Sequence, residues 1–275
     1  MKLSLLFALS LALSACGGTT VNNSANNANS NSNSTSSNST VTATKVTIDS
    51  PDGVKLIGTY LPPAKSNSPA LLLLHQWQSD RHSYDEFAKR MQDKGFAVLS
   101  IDGRGFGEST RKADGSTVAA GRTDADVKAM LGDVDAGFNF LAKLPGIVDS
   151  SKIGLVGASY GSSLAIIYAA DHPEVAAVAL LSPGMNYFGN MPTRPAVEKY
   201  GDRDLLMLAA DGDAESAKAT EGLTTGNSRH NSIVFEKSSA HGTELFKHQN
   251  APGGAFVAED ALEGFLMARF VLGRR

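Results

Sequence analysis

Short apolar runs and stretches of helical periodicity alternate along the chain from about residue 44 to residue 272. A continuous apolar run of strand length is typical of a strand that is buried on both faces of a sheet. Apolar residues that recur at helical spacing are typical of an amphipathic helix. The runs predict strands at residues 70–74, 96–101, 152–156, 175–181, 205–210 and 232–235, and the stretches between them predict helices at 84–94, 124–144, 162–170 and 258–272.

The start of this region has a different pattern. Residues 44–50 and 54–61 flank Pro51, Asp52 and Gly53, and this arrangement predicts an antiparallel hairpin. The strands that then alternate with helices predict an α/β fold, with a mostly parallel central sheet between helices on both faces. Ligands of such folds bind at the carboxyl ends of the strands, so we expect the chemistry there.

The most informative motif is Gly157-Ala158-Ser159-Tyr160-Gly161, which lies between a predicted strand and a predicted helix. Gly-x-Ser-x-Gly at a strand-to-helix turn is typical of a nucleophile elbow, in which small residues allow a sharp turn and leave the serine hydroxyl exposed above the sheet. The five-residue pattern is weak by itself, and a serine in an ordinary turn is the alternative. The flanking strand and helix favour Ser159 as a catalytic nucleophile.

The elbow, the strand order and the spacing resemble those of the α/β-hydrolase fold over residues 41–275. The size and the lack of a long insertion are similar to the dienelactone-hydrolase-like and small-esterase branches of that fold. The stretch 102–109, Asp-Gly-Arg-Gly-Phe-Gly-Glu-Ser, also resembles a loop that is common in the fold. We expect this loop to be architectural, with Asp102 capping backbone amides and Arg104 pairing with a carboxylate.

The resemblance implies a catalytic triad in the chain order serine, acid, histidine. A serine hydroxyl is a poor nucleophile at neutral pH and needs a base that an acid orients. His241 follows the last predicted strand in a loop of small residues and is the expected base, with His230 and His248 as alternatives. Asp213, in the turn after the preceding strand, is the expected acid, with Asp211 as its alternative.

An oxyanion hole needs two backbone amides aimed at the developing charge. The resemblance implies that Tyr160, the residue after the nucleophile, supplies one amide and that the loop after residue 74 supplies the other. There the sequence departs from the family, because the frequent His-Gly pair is His75-Gln76 in this chain. Trp77 is the expected second donor and Gln76 the alternative, while His75 is expected to brace the loop.

Residues 182–204 occupy the usual place of a cap and are too few for a helical cap domain. We therefore expect an open site without a large cap. The side chains of Phe106, Met185, Tyr187 and Phe188 are the expected substrate pocket. Packing over the edge of the sheet is the alternative role of Phe106 and Phe188.

Residues 1–16 predict export. They combine a charged start, an apolar stretch and a small-residue cleavage site, Leu-Ser-Ala-Cys, that resembles the lipobox of bacterial lipoproteins. Cys16 is the only cysteine of the chain and is the expected lipidation site; an ordinary signal peptide is the alternative. Residues 17–40, rich in Asn and Ser, predict a disordered tether for a hydrolase domain at 41–275. We expect a lipid-anchored protein of the cell envelope, in the outer membrane if the bacterium has two membranes.

Charge and composition narrow the function further. The net charge of −3, with both signs interspersed, argues against nucleic acid as a partner. The expected chemistry needs no cofactor and no metal, and the sequence has no zinc-like cluster of His or Cys. These observations predict a serine hydrolase that cleaves a small-molecule carboxylic ester. A serine peptidase of prolyl-oligopeptidase-like chemistry and a non-catalytic envelope protein on a hydrolase scaffold are the alternatives.

Overall fold

The computed structural model describes residues 42–247 and 257–273. The predicted leader at 1–16 with Cys16, the predicted tether at 17–40 and the alternative base His248 lie outside the described residues. Within the described ranges, no helix combines the length and the apolar character that crossing a membrane requires.

Strands and helices alternate through the described chain after an initial hairpin. The strands are β1 (Thr44–Asp49), β2 (Lys55–Leu61), β3 (Ser68–Leu74), β4 (Ala97–Ile101), β5 (Val148–Ala158), β6 (Val175–Leu181), β7 (Asn186–Tyr187), β8 (Met191–Pro192), β9 (Asp204–Ala210) and β10 (His230–Phe235). The helices are α1 (Asp85–Asp93), α2 (Asp124–Ala142), α3 (Tyr160–Asp171), α4 (Thr193–Tyr200), α5 (Ala214–Leu223) and α6 (Val257–Phe270), with 3-10 turns at Arg81–Tyr84 and Gly242–Lys247.

Eight of the described strands form one sheet in the order β1-β2-β4-β3-β5-β6-β9-β10. The pairs β1·β2 and β2·β4 are antiparallel, and the remaining neighbours are parallel. Leu74 at the end of β3 pairs with both Ile101 and Gly157, and Ala158 pairs with Leu181. The loops that follow these strands therefore leave the sheet at one edge, where the candidate chemistry lies.

Helices cover both faces of the sheet, so the strand residues alternate between two cores. Leu72 and Leu74 of β3 belong to one core with residues of α2 and α3. Leu71 and Leu73 belong to the other core with residues of α1 and α6. A strand that is buried on both faces needs an apolar residue at every position, which is why β3 is a continuous apolar run in the sequence.

The predicted strands and helices occur in the predicted order, and the structure adds the helices α4 and α5 and the short strands β7 and β8. The segment 182–204 holds the β7–β8 hairpin and α4, and no large cap domain is present in the described residues. Two-residue strands are too short for alternation to reveal, so the sequence did not predict the hairpin. Helix α3 begins at Tyr160, two residues earlier than predicted, because the chain turns at Ser159 itself.

Candidate active site

Ser159 occupies a strained backbone conformation at the end of β5. Its φ is 53° and its ψ is −123°, a combination that costs a non-glycine residue about 1–3 kcal/mol. The Ser159 amide donates to the carbonyl of Leu181 over 2.8 Å, and its carbonyl accepts from the amide and the hydroxyl of Ser162 over 2.8 and 2.5 Å. The neighbouring strand and helix thus hold the turn in place.

At both glycine positions of the motif there is no room for a side chain. A Cβ on Gly157 would lie 2.1 Å from the carbonyl oxygen of Gly161. A Cβ on Gly161 would lie 2.6 Å from the carbonyl oxygen of Leu74 and 2.7 Å from that of His75. All of these obstacles are backbone atoms, so the tight turn and the close approach of α3 to β3 depend on glycine at both positions.

His241 and Asp213 meet at the same edge of the sheet. Asp213 begins the turn into α5 after β9, and His241 follows β10. The Nδ1 atom of His241 lies 2.7 Å from Oδ2 of Asp213, and a carboxylate in this position accepts the Nδ1 proton. The Asp213 side chain is largely buried, whereas that of His241 is 40% exposed. The contact leaves Nε2 as the basic nitrogen.

The alternative acid and base have other partners. Asp211 accepts the backbone amides of Lys237 over 2.8 Å and Ser238 over 3.0 Å, and so holds the loop after β10. Ring nitrogens of His230 lie 2.9 Å from the Thr225 hydroxyl and 2.8 Å from the Gly201 carbonyl, at the opposite end of β10. The structure therefore brings together His241 and Asp213 and leaves Asp211 and His230 in bracing roles.

The phenol of Tyr187 lies near the serine. Its hydroxyl donates to the Ser182 carbonyl over 2.9 Å. Burial raises the pKa of the Tyr187 phenol, and the nearby hydroxyls of Ser159 and Ser216 oppose this rise. Ser159 is only 6% exposed, and among the described residues its hydroxyl makes no hydrogen bond to His241. The nucleophile is therefore less open to solvent than the sequence predicted.

The backbone amides of the expected oxyanion donors are available to bind an oxyanion. Among the described backbone hydrogen bonds outside helices and strands, none has the amide of Gln76 or Trp77 as its donor. Tyr160 is the first residue of α3, where an amide has no acceptor within its own helix. The structure brings both candidates for the second donor to the end of β3, beside the elbow, and does not separate Gln76 from Trp77.

Four rings form what we call the aromatic wall: Trp77, Phe106, Tyr160 and Phe188. The Trp77 ring centre lies 4.8 Å from that of Phe106, 5.3 Å from that of Tyr160 and 4.7 Å from that of Phe188, each pair edge to face. Such pairs of rings add about 0.5–1.5 kcal/mol beyond the area that they bury. The wall is a rigid surface that begins at the residue after the nucleophile.

An open cavity of about 430 Å³ has both His241 and Asp213 in its lining. Met185, Tyr187 and Ser216 also line it. Two of the four predicted pocket residues therefore face this cavity, whereas Phe106 and Phe188 belong to the aromatic wall. The predicted single pocket is divided into an apolar wall and a mixed cavity next to the histidine.

Comparison with known proteins identifies the family. A sequence model of the alpha/beta hydrolase fold matches residues 69–207, just over half of the chain. The chain belongs to the α/β-hydrolase fold family. An esterase of Pyrococcus furiosus has a similar structure, with a TM-score of 0.63, 17% identity, and 84% of this chain and 92% of that one covered. A dienelactone hydrolase of Anabaena variabilis gives a TM-score of 0.61 and 18% identity, covering 83% of this chain and 98% of that one.

At these identities the structural likeness shows the fold, and the predicted fold class is confirmed. No curated protein sequence matches this α/β-hydrolase. In the part of the chain that the structure describes, no group of three or more His, Cys, Asp or Glu residues is arranged to hold a metal ion.

The architectural loop of this α/β-hydrolase agrees with its prediction. Asp102 is fully buried and accepts the amides of Arg81 and Glu108, each over 2.8 Å. Arg104 forms a two-pronged pair with Asp133, over 2.7 and 2.6 Å. Buried hydrogen bonds and a buried ion pair therefore hold the loop.

His75 braces the loop after β3, as predicted, and joins it to the architectural loop. Its Nε2 accepts the Gly103 amide over 2.8 Å, and its Nδ1 lies 2.7 Å from the Gln76 carbonyl. Burial lowers the pKa of His75, which favours the neutral ring that these two contacts need.

The sequence did not predict the side-chain roles of two polar residues near the site, Gln76 and Ser182. The side-chain oxygen of Gln76 accepts both the amide and the hydroxyl of Thr243, over 3.2 and 2.9 Å. The hydroxyl of Ser182 accepts the amide of Gly242 over 2.9 Å. Both side chains hold the residues that follow His241. The departure from the usual His-Gly pair at Gln76 was the available signal, since an unusual polar residue at a site needs a partner.

Proposed function

We propose that this α/β-hydrolase is a serine hydrolase of carboxylic esters, with Ser159 as nucleophile, His241 as general base and Asp213 as the acid that orients it. The observation that carries the proposal is the pairing of His241 Nδ1 with Asp213 over 2.7 Å at the sheet edge where Ser159 occupies a strained elbow. An esterase and a dienelactone hydrolase among the structural neighbours support ester chemistry.

The reaction follows from these positions. Nε2 of His241 takes the Ser159 proton as Oγ attacks the ester carbonyl, and Asp213 stabilises the imidazolium. The tetrahedral oxyanion accepts the amides of Tyr160 and Trp77, with Gln76 as the alternative to Trp77. Collapse breaks the bond to the alcohol oxygen, which receives the proton from His241. Water then attacks the acyl-enzyme by the same route and frees the acid.

The first step requires Nε2 of His241 to come within hydrogen-bond distance of Ser159 Oγ. Catalytic hydrogen bonds are often long without substrate and tighten in the complex. Part of what shields Ser159 must move when the substrate enters, because the serine is 6% exposed. We propose that the side chain of Tyr187, whose phenol lies near Ser159, makes this adjustment while the β7–β8 hairpin stays in place.

The test is labelling of the full chain with a fluorophosphonate probe, followed by hydrolysis of p-nitrophenyl esters. We expect wild-type labelling, its loss in Ser159→Ala, and a rate lower by at least about a hundredfold in His241→Ala and Asp213→Asn. The matched control is Asp202→Asn, which removes an exposed carboxylate that lies before β9 and accepts the side-chain amide of Asn227 over 2.8 Å. Equal losses in both aspartate variants, or no labelling of folded wild type, would contradict the proposal.

We also propose that the protein is anchored to the cell envelope by lipidation of Cys16. The lipobox-like end of the leader supports this, and the Asn- and Ser-rich residues 17–40 are suited to a flexible tether. Metabolic labelling with an alkyne fatty acid is expected to mark the wild type and to leave Cys16→Ser unmarked. Equal labelling of the two chains, or recovery of the wild type without label, would refute the anchor.

A further inference from the structure

The exposed guanidinium of Arg122 lies against the aromatic wall. Its central carbon is 4.8 Å from the Trp77 ring centre and 4.9 Å from the Phe188 ring centre. Stacking of this kind holds the guanidinium by attraction to the ring faces and leaves its N–H groups in the plane free to donate. Arg122 therefore adds a positive charge to the surface of an otherwise apolar wall.

No carboxylate of the described residues forms an ion pair with Arg122. Of the other described arginines, five form such pairs, namely Arg81, Arg90, Arg104, Arg229 and Arg269. Three donate to backbone carbonyls instead, namely Arg111, Arg194 and Arg203. The nearest acidic residue along the chain, Asp124, accepts the side-chain amide of Asn190 over 2.9 Å. Guanidinium has five donors and no acceptor, so the Arg122 side chain is equipped to bind an anion from outside the chain.

The backbone of Arg122 is held from two sides. Its carbonyl accepts the Asn190 side-chain amide over 2.9 Å, which ties it to the β7–β8 hairpin. The next residue, Thr123, forms a capping box with Asp126 at the start of α2. A side chain whose backbone is fixed and whose guanidinium is stacked loses little conformational entropy when it binds a ligand. The positive charge of Arg122 is therefore preorganised.

The chemistry of the proposed triad decides which half of an ester meets this charge. His241 returns its proton to the leaving oxygen, so the alcohol lies on the side of the histidine. The cavity that His241 shares with Met185 and Tyr187 is on that side. The acyl half is left to the aromatic wall, which begins at Tyr160 and carries Arg122.

We infer that the preferred substrates are esters whose acyl half ends in a carboxylate, such as monoesters of dicarboxylic acids, and that Arg122 binds this carboxylate. The inference rests on the proposed ester hydrolysis and names its substrate class. Arg122 is a specificity residue in this scheme and does not touch the reacting atoms. A bidentate contact with a carboxylate is the geometry for which a guanidinium is best suited.

The experiment compares mono-p-nitrophenyl esters of adipic, pimelic and suberic acid with p-nitrophenyl esters of the monoacids of equal carbon number. The measured quantity is the ratio of kcat/KM for the anionic ester to kcat/KM for the neutral one. We expect Arg122→Gln to lower this ratio by about fivefold to thirtyfold at the best chain length, and Arg122→Lys to retain part of it. Added salt should lower the wild-type ratio, because the contact is exposed.

Arg111→Gln is the matched control. It removes the same charge from an exposed arginine whose guanidinium contacts the Gly115 carbonyl and the Thr117 hydroxyl, away from the wall. Its ratio should equal that of the wild type. A second comparison tests whether Arg122 binds the alcohol half of the ester instead. It uses esters of neutral acids in which the alcohol is either 3-hydroxybenzoate, which is anionic, or phenol, which is neutral.

Three outcomes would overturn the inference. A ratio that is the same in wild type and Arg122→Gln shows that Arg122 only stacks on the wall, while neutral-ester turnover keeps the proposed function intact. An effect of Arg122→Gln on the 3-hydroxybenzoate esters alone assigns the charge to the alcohol half. If the wild type hydrolyses none of the esters, both the proposed function and this inference are refuted.

Discussion

Replacing Gly161 with alanine tests whether the contact between the elbow and β3 positions the site. The added Cβ would lie 2.6 Å from the Leu74 carbonyl oxygen and 2.7 Å from that of His75. Both obstacles are backbone atoms of the strand end that leads to the expected oxyanion donor Trp77. The new methyl group can fit only if α3 moves away from β3, and the amide of Tyr160 moves with α3.

The magnitude is a balance of two terms. Alanine in place of glycine in a helix is favourable by about 0.5–1 kcal/mol. Overpacking against a rigid neighbour costs about 1–3 kcal/mol, so the net loss lies between about 0 and 2.5 kcal/mol. Because both obstacles are backbone atoms, we expect Gly161→Ala to lose about 1–2 kcal/mol of unfolding free energy. For a domain of this size, each kcal/mol lowers Tm by about 2–4 °C.

Gly264→Ala is the matched control, because Gly264 lies exposed in α6 and its added Cβ would meet no atom within 4 Å. It should gain about 0.5–1 kcal/mol by helix propensity alone. The assays are urea unfolding and p-nitrophenyl ester hydrolysis at a temperature where both variants are folded. We expect kcat to fall about tenfold or more in Gly161→Ala and to stay at the wild-type level in Gly264→Ala. Equal stabilisation by the two substitutions would refute the steric reasoning.

Two further predictions concern side chains around the site and the architectural loop. Gln76→Leu removes the oxygen that accepts the amide and hydroxyl of Thr243, so the loop of His241 should loosen. We expect Gln76→Leu to lower kcat about tenfold with little change in KM. Gln76→Glu keeps an acceptor oxygen and should retain part of the kcat that Gln76→Leu loses. An equal loss of kcat in both variants would contradict a positioning role. Hydrogen bonding to Arg104 lowers the pKa of Asp52 from 3.8 to about 2, so its contribution to stability is present above pH 3.8 and is lost as the pH falls toward 2. Urea unfolding of wild type and Asp52→Asn should therefore show a difference in unfolding free energy at about pH 5 that shrinks at about pH 3, whereas a constant difference would contradict the assignment.

The sequence by itself determined the order of the elements and the position of the elbow. Strands buried between two layers of helices must be apolar at every position, so β3, β6 and β9 are visible as continuous runs. The elbow is visible because backbone atoms exclude a Cβ at Gly157, where the turn itself is the obstacle, and at Gly161, where the end of β3 is the obstacle. A requirement that falls on every position of a strand, or on both glycines of one short motif, leaves a pattern in the sequence even where a distant part of the chain imposes it.

The tertiary structure decided which side chains share the site. Gln76 meets Thr243 across 167 residues, and the ring of Trp77 meets Phe188 and Arg122 from three separate loops. No periodicity records these contacts, since each depends on where strand ends meet in space. The division of the predicted pocket into an aromatic wall and a cavity beside the histidine follows from the β7–β8 hairpin, whose strands have two residues each. This hairpin places Tyr187 at the cavity and Phe188 in the wall. Such short strands bury too few positions to leave a pattern, so only packing against the rest of the fold determines where they lie.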